Sequence, residues 1–221
     1  MLDHLKGKLV VSCQPVTGGP MDRPEIVAAL GLAALAGGAA ALRIEGVASL
    51  RAVRSVTAAP VIGLVKRDLD GTEVRITPWP EDADDLARAG AGIIAVDVTD
   101  RPRPVPVADL LARIRAQGCL AMADCATEAE ARAAHALGFD ILGSTLSGYT
   151  GGPVPDGPDL DLVAALRGIG GFVMAEGRYN RPEDVARARR HGADAVTVGT
   201  AITRTEIVTG WFARAAEDAD A

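Results

Sequence analysis

Two apolar runs in this sequence end in side chains that can move protons. Val61-Ile-Gly-Leu-Val-Lys66 closes on a lysine, and Phe172-Val-Met-Ala-Glu176 closes on a glutamate. An ammonium that becomes enclosed loses hydration, which depresses its pKa and frees it to act as a base or as a Schiff-base nucleophile. A neighbouring carboxylate pulls the other way, so the sequence leaves the protonation state of Lys66 open. A third run, Ala195-Val-Thr-Val198, leads into Gly199-Thr200-Ala201-Ile202-Thr203-Arg204. This is a glycine turn running into a short helix, whose free N–H groups and positive dipole end suit a phosphate, with Arg204 adding a charge-assisted contact. The remaining apolar runs end in Gln14, in Arg43 with Glu45, and in Asp97, Asp124 and Thr145. Each one alone is explained by a strand end meeting solvent, but their convergence on one small mouth is not.

Such convergence requires a repeated scaffold. Short apolar runs alternate with longer amphipathic segments along the whole chain, the pattern of successive βα units and a parallel sheet. Eight strands are expected, at Leu9–Cys13, Ala40–Ile44, Val61–Val65, Gly92–Val96, Cys119–Ala123, Ile141–Ser144, Phe172–Ala175 and Ala195–Val198. Helices are expected around Pro24–Ala36, Ala48–Val56, Glu81–Ala89, Val107–Ala116, Thr127–Leu137, Leu160–Leu166, Pro182–Arg190 and Thr205–Glu217. A weak repeat marks the units: Gly38, Gly90, Gly138 and Gly192 each stand seven residues before a strand end, at Glu45, Asp97, Thr145 and Gly199. Glycine in that place suits a left-handed helix C-cap. Thr127 with Glu130 reads as a capping box, and Pro24 and Pro182 suit first-turn positions. Eight units in this length close most naturally as a single-domain α/β fold, the (β/α)₈ TIM barrel, whose chemistry sits at the C-terminal rim of the strands. A doubly wound open sheet is the rival, but no Gly-x-Gly-x-x-Gly follows the first strand, so no dinucleotide cofactor is expected. The long connections Arg67–Pro80 and Leu146–Pro158 lie on the catalytic rim, where such loops commonly act as lids.

Composition sets further bounds. The chain has 221 residues, 48% of them apolar and only 3% aromatic, so its core is built from Ala, Val, Leu and Ile. A formal charge of −6 with scattered basic residues provides no global field for nucleic acid or an anionic membrane. Met1–Lys8 is polar and no apolar run is long enough to span a bilayer, so neither a signal peptide nor a membrane segment is expected. Cys13, Cys119 and Cys125 are odd in number and lack metal-ligand spacing, which suits reduced thiols in a cytoplasm and no metal site. His4, His135 and His191 fall away from strand ends, and Asp82, Asp84 and Asp85 read as a solvated charge run at a helix start. Glu45 and Asp97 are expected to partner rim arginines.

Several separated segments are similar to one family. Leu9-Val-Val-Ser-Cys-Gln14, Gly63-Leu-Val-Lys66-Arg67-Asp68, Thr99-Asp-Arg-Pro-Arg-Pro104, Met122-Ala-Asp124-Cys125, Thr145-Leu-Ser-Gly-Tyr-Thr150, Ala175-Glu-Gly-Arg-Tyr-Asn180 and Val198-Gly-Thr-Ala-Ile-Thr-Arg204 together resemble the bacterial N-acetylmannosamine-6-phosphate 2-epimerases. The resemblance covers nearly the whole chain. It implies interconversion of N-acetylmannosamine 6-phosphate and N-acetylglucosamine 6-phosphate in sialic-acid and amino-sugar breakdown, by a homodimer. The epimers differ at carbon 2, beside the aldehyde of the open chain, so proton removal and return suffice without a redox cofactor. By position, Lys66 and Glu176 match the family's catalytic pair. Gln14, Arg43 and Asp124 match sugar contacts, and Gly177, Gly199, Thr200 and Arg204 fall at the phosphate cradle. Thr145 and Arg178 complete the expected substrate-binding set. Arg43-Ile-Glu45 departs from the family's Arg-Ala-Asn and leaves the role of Glu45 open. Thr200 replaces a common Ser and keeps both hydroxyl and backbone N–H. Two rivals stay open at this point, a Schiff-base aldolase or synthase and a non-catalytic sugar-phosphate sensor.

Overall fold

The alternation of short Val/Ile/Leu/Ala runs with amphipathic segments resolves into eight parallel strands that close in sequence order. The computed structural model describes residues 1–151 and 153–218. The strands are β1 (Leu9–Cys13), β2 (Ala41–Glu45), β3 (Val61–Leu64), β4 (Ile93–Asp97), β5 (Leu120–Asp124), β6 (Ile141–Gly143), β7 (Phe172–Glu176) and β8 (Ala195–Val198). The helices are α1 (Leu2–Leu5), α2 (Pro24–Ala36), α3 (Val47–Arg54), α4 (Pro80–Arg88), α5 (Val107–Ala116), α6 (Glu128–Leu137), α7 (Leu160–Ile169), α8 (Pro182–Arg190), α9 (Thr200–Thr203) and α10 (Thr205–Glu217). All eight expected strands are present. Four of them extend one residue further than their last apolar side chain, taking in Glu45, Asp97, Asp124 and Glu176. Ladder pairing carries on through a charged side chain when that side chain points into a solvated or paired mouth.

The period of two within each strand decides what faces where. Val10, Ala41, Ile62, Leu64, Ile93, Ala95, Met122, Ile141, Phe172, Met174 and Ala195 point into the barrel and form one buried cluster with Leu5. The intervening residues, among them Val11, Leu42, Ile44, Ile94, Val96, Val173, Val196 and Val198, pack against the surrounding helices. Two residues beyond the inward apolar layer, seven strands present a polar inward position, Ser12, Arg43, Lys66, Asp97, Asp124, Glu176 and Thr197, and after β6, where Gly143 takes that place, Thr145 follows one inward step later. The barrel is thus an apolar plug below and a polar chamber above. The floor is α1, absent from the expectation because only Leu2 and Leu5 of its four residues are apolar; Leu5 is fully buried in the inner cluster.

The helix signals hold. Gly38, Gly90, Gly138 and Gly192 have φ of 102°, 99°, 99° and 101°, left-handed values that glycine adopts without steric cost. Thr127 and Glu130 form a reciprocal capping box, and Pro24 and Pro182 open α2 and α8.

The connection after β3 forms a hairpin. Arg67 N–H donates to Arg75 O at 3.0 Å, Thr77 N–H to Val65 O at 2.7 Å, and Asp97 N–H to Ile76 O at 3.1 Å. These bonds seat buried Ile76 over the barrel interior. The hairpin also corrects the reading of Asp82 as solvated. Asp82 is buried at the start of α4 and accepts from Arg67 Nε at 2.9 Å, because the hairpin folds back over that helix turn. Asp84 pairs with Arg113 at 2.6 Å instead of standing free.

Candidate active site

Lys66 sits two residues past inward-facing Leu64, so it too faces the chamber. Its Nζ donates to Gln14 Oε1 at 2.6 Å, and Gln14 Nε2 donates to Ser12 Oγ at 2.8 Å. The amide oxygen takes one hydrogen of the amine and so fixes its rotation. Burial lowers the pKa of Lys66, the nearby guanidinium groups of Arg43 and Arg204 lower it further, and Glu45 and Glu176 oppose them. Glu45, expected beside an arginine, instead accepts from the backbone N–H of Lys66 at 3.2 Å. Its carboxylate pins the peptide that carries the amine. The expected arginine partnership does hold for buried Asp97, which binds Arg101 at 2.7 Å.

Arg43 is the largest fully buried side chain among the described residues, which a guanidinium tolerates only when paired. It meets Asp124 in a fork, Nη1 to Oδ1 at 3.2 Å and Nη2 to Oδ2 at 2.7 Å. Its Nη1 also lies 3.1 Å from Glu176 Oε2, a charge contact without hydrogen-bond alignment, so that oxygen keeps no hydrogen-bond partner among the described residues. Thr145 Oγ1 donates to Asp124 Oδ1 at 2.6 Å. Burial raises the Glu176 carboxyl to about 7, with Arg43 lowering it and Asp124 raising it. A carboxyl raised in this way suits acid–base chemistry in the neutral range.

This shift has a stability consequence of definite sign. The folded state holds the Glu176 proton up to about pH 7, whereas the unfolded chain releases it near 4.5. Stability from this group is fully present below about pH 4.5 and is lost as pH rises through about 7. Glu176→Gln is expected to flatten the fall in melting temperature between those values. Thermal melts at half-unit pH steps measure it, and parallel profiles for both proteins would contradict the shift.

The opposite side of the chamber presents backbone N–H groups and a guanidinium. Gly199 precedes the four-residue helix α9, whose first N–H groups have no acceptor within the helix. Gly177 has φ 109°, a left-handed conformation that disfavours any side chain, and Arg178 follows at φ 58°. Arg178 is held there by its own side chain: Nε donates to Gly157 O and Nη1 to Ser147 O, each at 2.8 Å, and the guanidinium lies 5.5 Å from the Tyr149 ring centre. It thereby ties the connection after β6 to the end of β7. Arg204 Nε donates to Gln14 O at 2.9 Å, joining the end of α9 to the lysine side.

A cavity of about 370 Å³ fills the chamber. Of the residues expected from sequence, Gln14, Arg43, Lys66, Thr145, Glu176, Gly177, Arg178, Gly199, Thr200 and Arg204 all line it. Asp124 does not. It is fully buried behind Arg43, with Arg43 and Thr145 taking its carboxylate oxygens, so it orients the wall of the cavity. Ser12 and Thr197 also line the cavity and escaped the sequence reading, although the inward period of two points to both. Cys13 and Cys125 are buried, and burial raises both thiols, Cys13 to about 12, which makes them inert.

The residues 27–218 match a protein-family model described as "Putative N-acetylmannosamine-6-phosphate epimerase". This chain belongs to that family. Among its relatives is the "Putative N-acetylmannosamine-6-phosphate 2-epimerase" of Actinobacillus pleuropneumoniae serotype 5b, 59% identical over 96% of this chain and 93% of the relative. The Escherichia coli K12 relative of the same description is also 59% identical, over 93% of this chain and 90% of the relative. A solved N-acetylmannosamine-6-phosphate 2-epimerase structure from Clostridium perfringens superposes with a TM-score of 0.94 at 40% identity, covering 97% and 95% of the two chains. The epimerase family thus accounts for the barrel and for its closure in sequence order.

Proposed function

We propose that this chain is an isomerase that interconverts N-acetylmannosamine 6-phosphate and N-acetylglucosamine 6-phosphate by moving the proton on carbon 2. The observation that carries the reading is the placement of Lys66 and Glu176. They extend from β3 and β7, four strands apart in a closed ring of eight, and so stand on opposite sides of one cavity. A carbon held between them is open to a proton acceptor on one face and a proton donor on the other, which inversion of a stereocentre requires. Lys66, poised by burial and by Gln14, takes the carbon-2 proton, and Glu176 governs its return. Arg43, already facing both carboxylates, adds fixed positive charge where the enolate oxygen develops. The phosphate lies at Gly177, Gly199 and Thr200 with Arg204. Arg178 holds the loop that closes over this end, and Asp124 acts through Arg43 and Thr145.

Proton NMR of the protein with N-acetylmannosamine 6-phosphate in deuterated water tests the reading. Formation of N-acetylglucosamine 6-phosphate carrying deuterium at carbon 2 is expected. A protein that binds the sugar phosphate but neither epimerises nor exchanges it would be a sensor, and an imine trapped by borohydride at Lys66 would make it a Schiff-base enzyme.

The working form is proposed to be a homodimer in the cytoplasm, acting in sialic-acid and amino-sugar breakdown. Helix α10 buries none of its described residues, and Phe212 on it is 73% exposed, which supplies an apolar face for a second copy. Among the described residues no helix is long and apolar enough to cross a membrane.

A further inference from the structure

Seven serines and threonines are buried among the described residues, and six of them have a hydrogen-bond partner within the protein. Ser12 accepts from Gln14, Thr77 accepts from Val65 N–H, and Thr99 donates to Asp97. Ser144 donates to Glu176 O, Ser147 to Asp159, and Thr203 to Ser12 O. The seventh is Thr197. It is 1% exposed, and its Oγ1 has no partner among the described residues. A buried hydroxyl left unpaired destabilises the folded state, and valine has nearly the same shape without that penalty. Valine is also what β8 carries on either side, at Val196 and Val198. The hydroxyl at position 197 thus has no role that the rest of the protein supplies.

Its surroundings say what it meets. Thr197 stands one inward step above Ala195, lines the cavity, and is in register with Glu176 on β7. Two residues later in the chain comes Gly199, at the turn into α9. The hydroxyl therefore lies between Glu176 and the turn into α9. We infer that Thr197 is a substrate-binding residue whose hydroxyl hydrogen-bonds an oxygen on the middle carbons of the bound sugar phosphate. This rests on the epimerase reading for which carbon reacts, and on the cavity geometry for the rest. A hydroxyl both donates and accepts, so it matches a sugar hydroxyl in either orientation. Glu176 Oε2, which meets Arg43 by charge but has no hydrogen-bond partner among the described residues, offers a second acceptor to the same stretch of substrate.

Thr197→Val and Thr197→Ser test the assignment through both kinetics and melting temperature. Valine is expected to lower kcat/KM for N-acetylmannosamine 6-phosphate on the order of 10-fold. The same variant melts at or above the wild-type temperature without ligand and gains less on adding the sugar phosphate. Serine keeps the hydroxyl and stays within about 3-fold of wild type. Valine activity within about 2-fold of wild type would overturn the assignment. So would a valine variant that loses activity together with ligand-free stability, since the hydroxyl would then serve the fold. A serine variant as impaired as valine would overturn it too, by giving the role to the methyl group. A wild type that binds the sugar phosphate without turnover fails the epimerase reading alone, and the ligand-induced melting shifts of the variants still decide Thr197.

Discussion

Lys66→Ala is expected to abolish carbon-2 exchange and epimerisation together, lowering kcat on the order of 10²- to 10⁴-fold, while the barrel folds normally. Lys66 lies past the end of β3, and its structural ties run through its peptide, by the Glu45 carboxylate on its N–H and its bridge to Ile76. Alanine keeps both. What alanine removes is the amine that burial, Arg43 and Arg204 hold below its ordinary pKa, and with it the partner of Gln14. The melting temperature should stay within a few degrees of wild type, or rise slightly as an unfavourably placed charge is lost. Proton NMR in deuterated water reads exchange independently of net conversion. Wild-type exchange in the alanine variant would move the base elsewhere, with Glu176 the next candidate in the chamber.

The barrel was legible in the sequence because each βα unit carries its own punctuation. The glycines at 38, 90, 138 and 192 announce left-handed helix ends, and the structure places all four there. The capping box at Thr127 and the prolines at 24 and 182 do the same for helix starts. Strand ends were read one residue short at Glu45, Asp97, Asp124 and Glu176, since hydrophobicity stops where the ladder does not. Helix α1 was illegible for a different reason. Four residues give no period to detect, and only the tertiary setting shows that Leu5 seals the barrel floor.

The site was legible wherever a strand ended in a charged group and where family motifs fell, and less so where a side chain does its work from behind. Asp124 reads from sequence as a sugar contact, yet it stands behind Arg43 with both oxygens engaged. Arg178 reads as a ligand for substrate, yet two of its donors hold Ser147 and Gly157. No spacing rule predicts which of several polar residues at a rim will pair with one another, because that depends on side-chain reach across strands. Thr197 and Ser12 were missed for the opposite reason. They lie inside the strands, where only counting by twos from an inward Ala195 or Val10 shows that they face the chamber.

Arg43→Ala is the substitution expected to cost most stability, and the cost should depend steeply on pH. Arg43 is 1% exposed and its two carboxylate partners, Asp124 and Glu176, are 0% and 13% exposed. Burial works against its charge, but those two carboxylates outweigh it and hold the guanidinium protonated. Without Arg43 two carboxylates remain close together in a poorly solvated chamber, a loss typically of about 3–5 kcal/mol. Protonation relieves it. Asp124 loses its guanidinium partner, and Glu176, already raised to about 7 by burial, loses the cation that lowers it. The folded-state pKa of Glu176 then stands further above its unfolded value. A raised carboxyl stabilises below its unfolded pKa and loses that stabilisation as pH rises through the folded one. The penalty of Arg43→Ala is therefore expected to be smaller near pH 5 than near pH 8. Urea unfolding of both proteins at those two pH values measures it. A penalty equal at both would mean that lost packing of the guanidinium, and not unpaired charge, dominates.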